Sequence, residues 1–294
     1  MSRSHDSSNT PAQAPKATRR QLLAGAAALA PMLVAGGVLA QSTGDERSSG
    51  TRRTGSALVT GASRGIGEAI AQRLAGDGYA VTVNYLRSAD RAADVVRRIE
   101  AAGGRAIAVQ GDIGDPDAVA TLFERHQSAF GQIDVVVSNA GIMRLAPFAQ
   151  MSDADFDAMM ATNIKGSFNV LREAARRVRD GGRILALSSS ITRLRSPTYG
   201  PYAASKGAQD LFVSSLAKEL GDRRISVNAV APGVVDTPLF TDGKTPQQIA
   251  GFVARTPHGR LGQPEDIANT VSLLCREEAG WITGQVVFAN GGII

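Results

Sequence analysis

From Ser56 onward, short apolar runs alternate with stretches whose apolar residues recur every three or four positions. SALVT at 56–60 leads into a glycine-rich turn. Ile66, Ile70, Ala71 and Leu74 then fall on one helical face, and VTVNY at 81–85 is apolar again. Short continuous or two-residue-period runs read as strands, and a period near 3.6 reads as an amphipathic helix. The unit is therefore strand, turn, helix, strand. Similar runs recur in RAIAVQGDI (105–113), IDVVVSNAG (133–141), RILALS (183–188), ISVNAVAPG (225–233) and QVVFANGG (285–292). Strands alternating with helices predict an α/β fold, a Rossmann-type doubly wound parallel sheet.

The first 53 residues follow another pattern. Residues 1–17 are polar, in keeping with a disordered tail. Arg19 and Arg20 then precede an Ala/Gly/Leu stretch from Leu22 to Ala40 with no polar face, and Val38-Leu39-Ala40 offers the small residues a signal peptidase reads. This is the layout of a secretory signal, and the arginine pair looks like a twin-arginine (Tat) leader. The expected organisation is a signal peptide at 1–40, a polar linker at 41–53 and one α/β domain at 54–294, exported to the periplasm. A stretch of about nineteen apolar residues is just long enough to cross a bilayer, so a retained membrane anchor is the second expectation. A cytoplasmic protein, if translation starts beyond the leader, is the third.

Composition narrows the function. The chain has 294 residues, 43% apolar and 20% charged, enough for one large α/β domain. Its +5 formal charge is concentrated at the start: residues 1–53 hold seven Lys/Arg against three Asp/Glu, leaving 25 against 24 in the remainder. A nucleic-acid-binding face is therefore not expected. Cys275, the only cysteine, reads as a buried helix residue, and His5, His126 and His258 share no metal-ligand spacing.

The turn after SALVT places Gly61, Gly65 and Gly67 between a strand and a helix. Glycine there lets the backbone turn tightly and approach a pyrophosphate held at the helix N-terminus. An NAD enzyme usually has a carboxylate at the end of the second strand. Here VTVNYLRSADR has no acid before Asp90, whereas Arg87 follows the strand and Arg64 lies in the turn. Two guanidinium groups suit a 2′-phosphate, so NADP(H) is preferred and NAD(H) remains possible. Asp112, ending the third strand, is a candidate for the adenine amino group. Asn139, Ala140 and Gly141 let the backbone lie close to a cofactor.

SPTYGPYAASKG at 196–207 contains two tyrosines and one lysine. Tyr202 and Lys206 are four apart and share a helical face. Tyr199 lies in a Pro/Gly loop outside a helix that begins near Tyr202. An ammonium beside a phenol favours phenolate and lowers its pKa, so Tyr202 is the predicted acid/base and Tyr199 part of the substrate wall.

The ordered set of Thr60-Gly61-x-x-x-Gly65-x-Gly67, Asn139-Ala140-Gly141, Asn163, Ser189, Tyr202-x-x-x-Lys206, Pro232-Gly233 and Thr237 resembles the classical short-chain dehydrogenase/reductase family over residues 54–294. The pattern is most similar to the 3-oxoacyl carrier-protein reductase branch. Ser138 stands where the family usually has Asn. The resemblance implies a single domain with a seven-stranded parallel sheet, commonly assembled as a homotetramer. It implies that Ser189, rather than Ser188 or Ser190, binds the substrate oxygen, that Lys206 holds the nicotinamide ribose, and that Asn163 anchors a water of a proton relay. Ser63, Ile66, Pro232, Gly233, Val235 and Thr237 would join Gly61, Arg64, Gly65, Gly67, Arg87, Asp112, Asn139, Ala140, Gly141, Tyr202 and Lys206 as cofactor contacts.

The implied reaction moves hydride between a nicotinamide and a carbonyl or secondary-alcohol carbon of a small molecule. Met143, Arg144, Leu194, Tyr199 and Phe240 are the candidate substrate pocket, the last in a lid-like segment, TPLFTDGKTPQQIAGFVART (237–256). A non-enzymatic alternative is an exported nucleotide-binding sensor or scaffold with idle chemistry. An extended relative such as a sugar-nucleotide epimerase needs a long C-terminal domain, whereas only about ninety residues follow Lys206.

Overall fold

Residues 55–294 are described by the computed structural model; the signal-peptide and linker expectations, and the assigned start of the domain at Thr54, lie outside them. Among these residues the chain runs β1 (Ser56–Val59), α1 (Gly65–Gly76), β2 (Ala80–Tyr85), α2 (Ala89–Ala101), β3 (Arg105–Gln110), α3 (Pro116–Phe130), β4 (Ile133–Ser138) and α4 (Asp153–Met159). It continues through α5 (Ser167–Arg177), β5 (Val178–Leu187), α6 (Ile191–Leu194), α7 (Gly200–Glu219) and β6 (Ser226–Pro232), then α8 (Pro238–Thr241), α9 (Pro246–Ala254), α10 (Pro264–Cys275) and β7 (Val286–Ala289).

The seven strands pair in the order β3-β2-β1-β4-β5-β6-β7, every pair parallel. After β3 the chain crosses to the other side of β1 to form β4. The loops leaving β1 and β4 therefore diverge, and a crevice opens at the carboxyl ends of the strands.

Strand alternation divides the core. Ala57, Val59, Val81 and Val83 face α1, α2 and α10, whereas Leu58, Val136, Ile184 and Val227 face α3, α5 and α7. Both faces are covered, which is why the strands are nearly continuous apolar runs rather than polar on one side. Truncating fully buried Leu58 to alanine costs about 2–5 kcal/mol. Cys275 is buried at the end of α10, as its surroundings imply.

His126 of α3 is buried at the opposite end of the sheet from the crevice. Its ring bridges Ser56 Oγ of β1 and Thr82 Oγ1 of β2, each at 2.8 Å. Burial lowers its pKa to about 4, with Asp134 opposing. No described helix is long and apolar enough to cross a membrane.

Candidate active site

The crevice starts at the β1–α1 turn. Gly61 and Gly65 have φ of +62° and +59°, the left-handed region where glycine carries no steric penalty. A Cβ at Gly61 would lie 2.8 Å from the Ala140 Cα, and one at Gly67 would lie 2.4 Å from Asn139 Nδ2. The two loops are laced together. Thr60 Oγ1 accepts from the Asn139 and Ala140 amides at 3.0 and 3.1 Å, and Asn139 Nδ2 donates to the carbonyls of Thr60 and Gly61 at 2.8 and 3.2 Å. Asn139 and Ala140 thus shape the cradle. Ser63 is buried, and Ile66, in the first turn of α1, packs on the core.

Asn84, which the sequence reading passed over, completes this frame. Its Oδ1 accepts from the Gly61 amide at 3.2 Å while its Nδ2 donates to the Val109 and Gly111 carbonyls. One buried amide ties the turn to the ends of β2 and β3. An Asn in a strand of Val and Thr was the available signal.

Arg64 and Arg87 are exposed and pair with no carboxylate among the described residues. Arg64 shares a cavity of about 310 Å³ with Ser63, Glu68, Arg91, Asp94 and Arg98. Arg91, also without an ion-pair partner there, is a cation not singled out from sequence; Arg98 is already held by Glu68. Asp112 turns one oxygen, Oδ1, back to the Gly114 amide at 2.8 Å, a local turn that caps the approach to α3.

On the far side of the crevice, β6 delivers Pro232 at its end, and Gly233 lies so close to Asn290 that a Cβ would sit 2.8 Å from the Asn290 Cβ. Val235 is buried and forms a single bridge with Gly262. Thr237, also buried, faces Gly65 across the gap: a Gly65 Cβ would stand 3.5 Å from its Cγ2.

Between these walls lie the reactive side chains. Ser188 and Ser190 point into the structure, donating to the Lys206 and Ala231 carbonyls. Ser189, between them, is half-buried on the other side; its Oγ accepts from the Ile191 amide at 3.3 Å and lies near enough to the Tyr202 phenol to favour its ionised form. α7 begins at Gly200, two residues earlier than the spacing suggests, and Tyr199 is its N-cap, just outside the helix. The rings of Tyr199 and Tyr202 meet edge to face at 6.5 Å.

The expected acidification of Tyr202 is not found. Burial pushes its pKa up to about 12, opposed only by the Ser189 hydrogen bond, with Tyr199 adding to the rise. Lys206 Nζ lies 6.0 Å from the centre of the Tyr202 ring and donates to the Leu187 carbonyl instead. Burial in turn lowers Lys206 to about 8, against the field of Asp210. The helical spacing is right, but burial governs the phenol, and Lys206 is not among the groups that shift it.

Asn163 sits in a wide π-helical turn, Met160–Gly166, between α4 and α5. Its Oδ1 accepts from the Ile142 amide at 2.9 Å, and its Nδ2 donates to the Ile142 carbonyl and to Ser205 Oγ at 2.8 and 3.0 Å. Its own carbonyl accepts from Gln209 Nε2 at 3.0 Å. Asn163 therefore clamps the segment after Gly141 against α7; a Cβ on Gly141 would lie 3.2 Å from Asn163 Oδ1 and 3.5 Å from Lys206 Nζ.

Met143, Leu194 and Tyr199 join Tyr202 in one apolar cluster. Arg144 and Phe240 do not. Asp155 draws the Arg144 guanidinium outward at 3.3 Å, and Phe240 packs edge to face on Phe252 with Lys244 above its ring.

Comparison with known proteins agrees with this geometry. Residues 61–294 match a family model described as enoyl-(acyl carrier protein) reductase. A versicolorin reductase of Emericella nidulans is 42% identical over 248 residues, covering 80% of this chain and 94% of the relative. A 3-oxoacyl-[acyl-carrier-protein] reductase of Staphylococcus aureus is 40% identical over 244 residues, covering 82% and 99%. The crystal structure of a short chain dehydrogenase from Burkholderia cenocepacia in complex with NADP superimposes with a TM-score of 0.78 at 39% identity, covering 82% of this chain and 98% of that one.

Proposed function

The chain belongs to the short-chain dehydrogenase/reductase family, and from that premise we propose that it is an NADP(H)-dependent oxidoreductase interconverting a carbonyl and a secondary alcohol, with Tyr202 as the acid/base. The observation that carries this reading is the convergence of Ser189, Tyr202 and Lys206 at the mouth of a glycine-lined crevice.

The residues present fit a dinucleotide. Gly61 and Gly67 let the β1–α1 turn close tightly on the Asn139–Ala140 loop at the start of the helix, and Arg64, Arg87 and Arg91, which form no ion pair among the described residues, offer guanidinium groups to a phosphate. With no carboxylate at the end of β2, these cations favour the 2′-phosphate of NADP(H) over the bare ribose of NAD(H). The relative crystallised with NADP supports the same choice. When bound, the nicotinamide supplies and takes back the hydride.

The protein handles the oxygen and its proton. Ser189 holds the substrate oxygen beside the Tyr202 hydroxyl. In the reduction direction Tyr202 donates its proton to that oxygen as negative charge develops there. A phenol held protonated by burial is ready to do so at neutral pH, and preplaced donors stabilise the developing charge without reorganisation. Lys206, charged below about pH 8, places an ammonium next to this centre and compensates the phenolate left behind.

The leader makes export through a twin-arginine route part of the proposal, with cleavage after Ala40. Assembly as a homotetramer is supported by apolar side chains left exposed on α5 and α7, Phe168 and Leu211, and by Trp281 before β7, which is 97% exposed. Against the alternative of a nucleotide-bound sensor stands the complete Ser189/Tyr202/Lys206 arrangement. Melting shifts with NADPH and NADH, followed by a screen of ketones and alcohols for loss or gain of reduced nicotinamide, test the reading. A larger shift with NADPH and turnover of at least one carbonyl is expected; binding without any turnover favours the sensor.

A further inference from the structure

The full chain has six methionines, Met1, Met32, Met143, Met151, Met159 and Met160. All four that lie among the described residues pack in one place, the cluster containing Tyr202. Three separate segments supply them: the loop after Gly141, the loop before α4, and the junction of α4 with the π-helical turn. Met159 is fully buried, and its sulfur accepts from the Arg144 amide at 3.4 Å, so it anchors the base. Met143, Met151 and Met160 are only half-buried and retain open surface.

The surroundings of these three are apolar or aromatic. Ile142, Ile191, Leu194, Tyr199 and Ala203 complete the cluster. Phe148, 82% exposed, stands at the rim against Gly200, where a Cβ would lie 3.1 Å from its ring. Arg144 turns to Asp155 and Lys244 to the Phe240 ring, whereas Lys206 lies 6.0 Å from the centre of the Tyr202 ring and Arg255, over the Phe252 ring, is near enough to act on Tyr199. The methionine wall itself offers a substrate apolar and aromatic contacts rather than ion pairs.

A thioether is unbranched and polarisable, adapts to irregular shapes, and makes favourable contacts with aromatic ring edges. An aromatic wall such as Tyr199 adds edge-to-face or offset stacking. Aliphatic packing alone would be served as well by leucine, which has fewer rotatable bonds to immobilise. Methionines from three segments around a single tyrosine make a deformable grip for flat rings of different outline.

Building on the reductase reading above, we propose that the substrate is a bulky, uncharged carbonyl compound bearing an aromatic ring, held by Met143, Met151 and Met160 against Tyr199 with its carbonyl oxygen at Ser189 and Tyr202. The ring system lies on the methionine wall, and the ketone points into the crevice.

A matched pair of probes tests this. 1-Tetralone and 1-decalone share a bicyclic skeleton and a ketone, but only the first has an aromatic ring. The full-length protein, labelled with ¹³C at the methionine methyl groups, gives at most six resonances, assigned with Met143→Leu, Met151→Leu and Met160→Leu. In the presence of NADPH, 1-tetralone is expected to displace those three signals through its ring current, while 1-decalone leaves them nearly unmoved. Reduction of 1-tetralone is expected to have a kcat/KM about tenfold above that of 1-decalone, with the ratio falling roughly threefold in each leucine variant. Equal or better handling of 1-decalone, or methyl signals unmoved by 1-tetralone, overturns the proposal. If 1-tetralone moves the three signals but no carbonyl is turned over, the aromatic site stands and the reductase reading fails.

Discussion

Lys206 Nζ stands 6.0 Å from the centre of the Tyr202 ring and donates to the carbonyl of Leu187, at the end of β5. The lysine is thereby tied to the strand that leads to Ser189, and its charge sits near the phenol without bonding to it. Burial raises Tyr202 to about 12 and lowers Lys206 to about 8. The pair is thus a protonated phenol beside an ammonium that begins to lose its proton just above neutrality.

Asp210 follows one turn after Lys206 on α7 and is the carboxylate that supports its charge. Burial pushes the Asp210 carboxyl up, against Ser188, Arg193, Lys206 and Thr192, so part of that support is already spent. Because the Lys206 pKa is depressed, its charge is present below about pH 8 and is lost as pH rises through that value. Carbonyl reduction is expected to fall along the same limb. Asp210→Asn should move this limb toward lower pH, by up to about one unit. A limb that stays in place in pH profiles of the variant shows that Asp210 does not govern Lys206.

Cofactor preference is expected to reside in Arg64 and Arg91, which share one cavity at the start of α1 and α2. Arg91→Ala should weaken NADPH by about five- to tenfold, the loss of one charge-assisted contact, and leave NADH within about twofold. Titrations of both cofactors by calorimetry check it; equal losses for the two would place Arg91 outside the phosphate site.

Much of this site can be read along the chain, because glycine spacing and strand ends are local signals. The β1–α1 turn and the Tyr202/Lys206 face follow from short-range spacing, whereas the choice of Ser189 among three serines rests on the family resemblance. What escaped depends on distant segments meeting. Asn84 reads as one polar residue in a strand until Gly61 and β3 close around it. Arg91 reads as a solvated helix residue until α1 packs beside α2. The π-helical turn carrying Asn163 has no marker in the residues themselves, though Gly166 within it is forced by contact with Ile113, whose Cδ1 would lie 2.7 Å from a Cβ. The rise of the Tyr202 pKa was missed because helical spacing places a charge but says nothing about burial.

Gly67 marks the tightest packing of α1 against the β4 loop, since a Cβ there would lie 2.5 Å from the Gly61 carbonyl as well as against Asn139. Gly67→Ala should destabilise the fold by about 1–3 kcal/mol through overpacking. Gly76, at the end of the same helix, has nothing within 4 Å of the added methyl. Gly76→Ala should be neutral or stabilising by up to about 1 kcal/mol. Urea unfolding of both variants makes the comparison; similar effects would contradict it.

His126 makes the fold sensitive to acid at a point remote from the chemistry. Its pKa of about 4 in the folded protein lies below the 6.5 of an unfolded histidine, chiefly through burial. Its contribution is complete above pH 6.5 and declines as pH falls toward 4, by roughly 3 kcal/mol in total. Unfolding free energies at several pH values for the parent and for His126→Asn should converge on acidification. Parallel curves would mean that the histidine takes up its proton equally in the folded and unfolded states.

The central claim is that Tyr202, and not Tyr199, exchanges the proton with the substrate oxygen. The direct measurement is turnover of a carbonyl substrate alongside NADPH affinity in Tyr202→Phe and Tyr199→Phe. Tyr202→Phe should retain NADPH affinity within about threefold while kcat falls by about a thousandfold or more. Tyr199→Phe should change mainly KM. A Tyr202→Phe enzyme with kcat within about tenfold of the parent, or a Tyr199→Phe enzyme that takes the larger loss, would contradict the account.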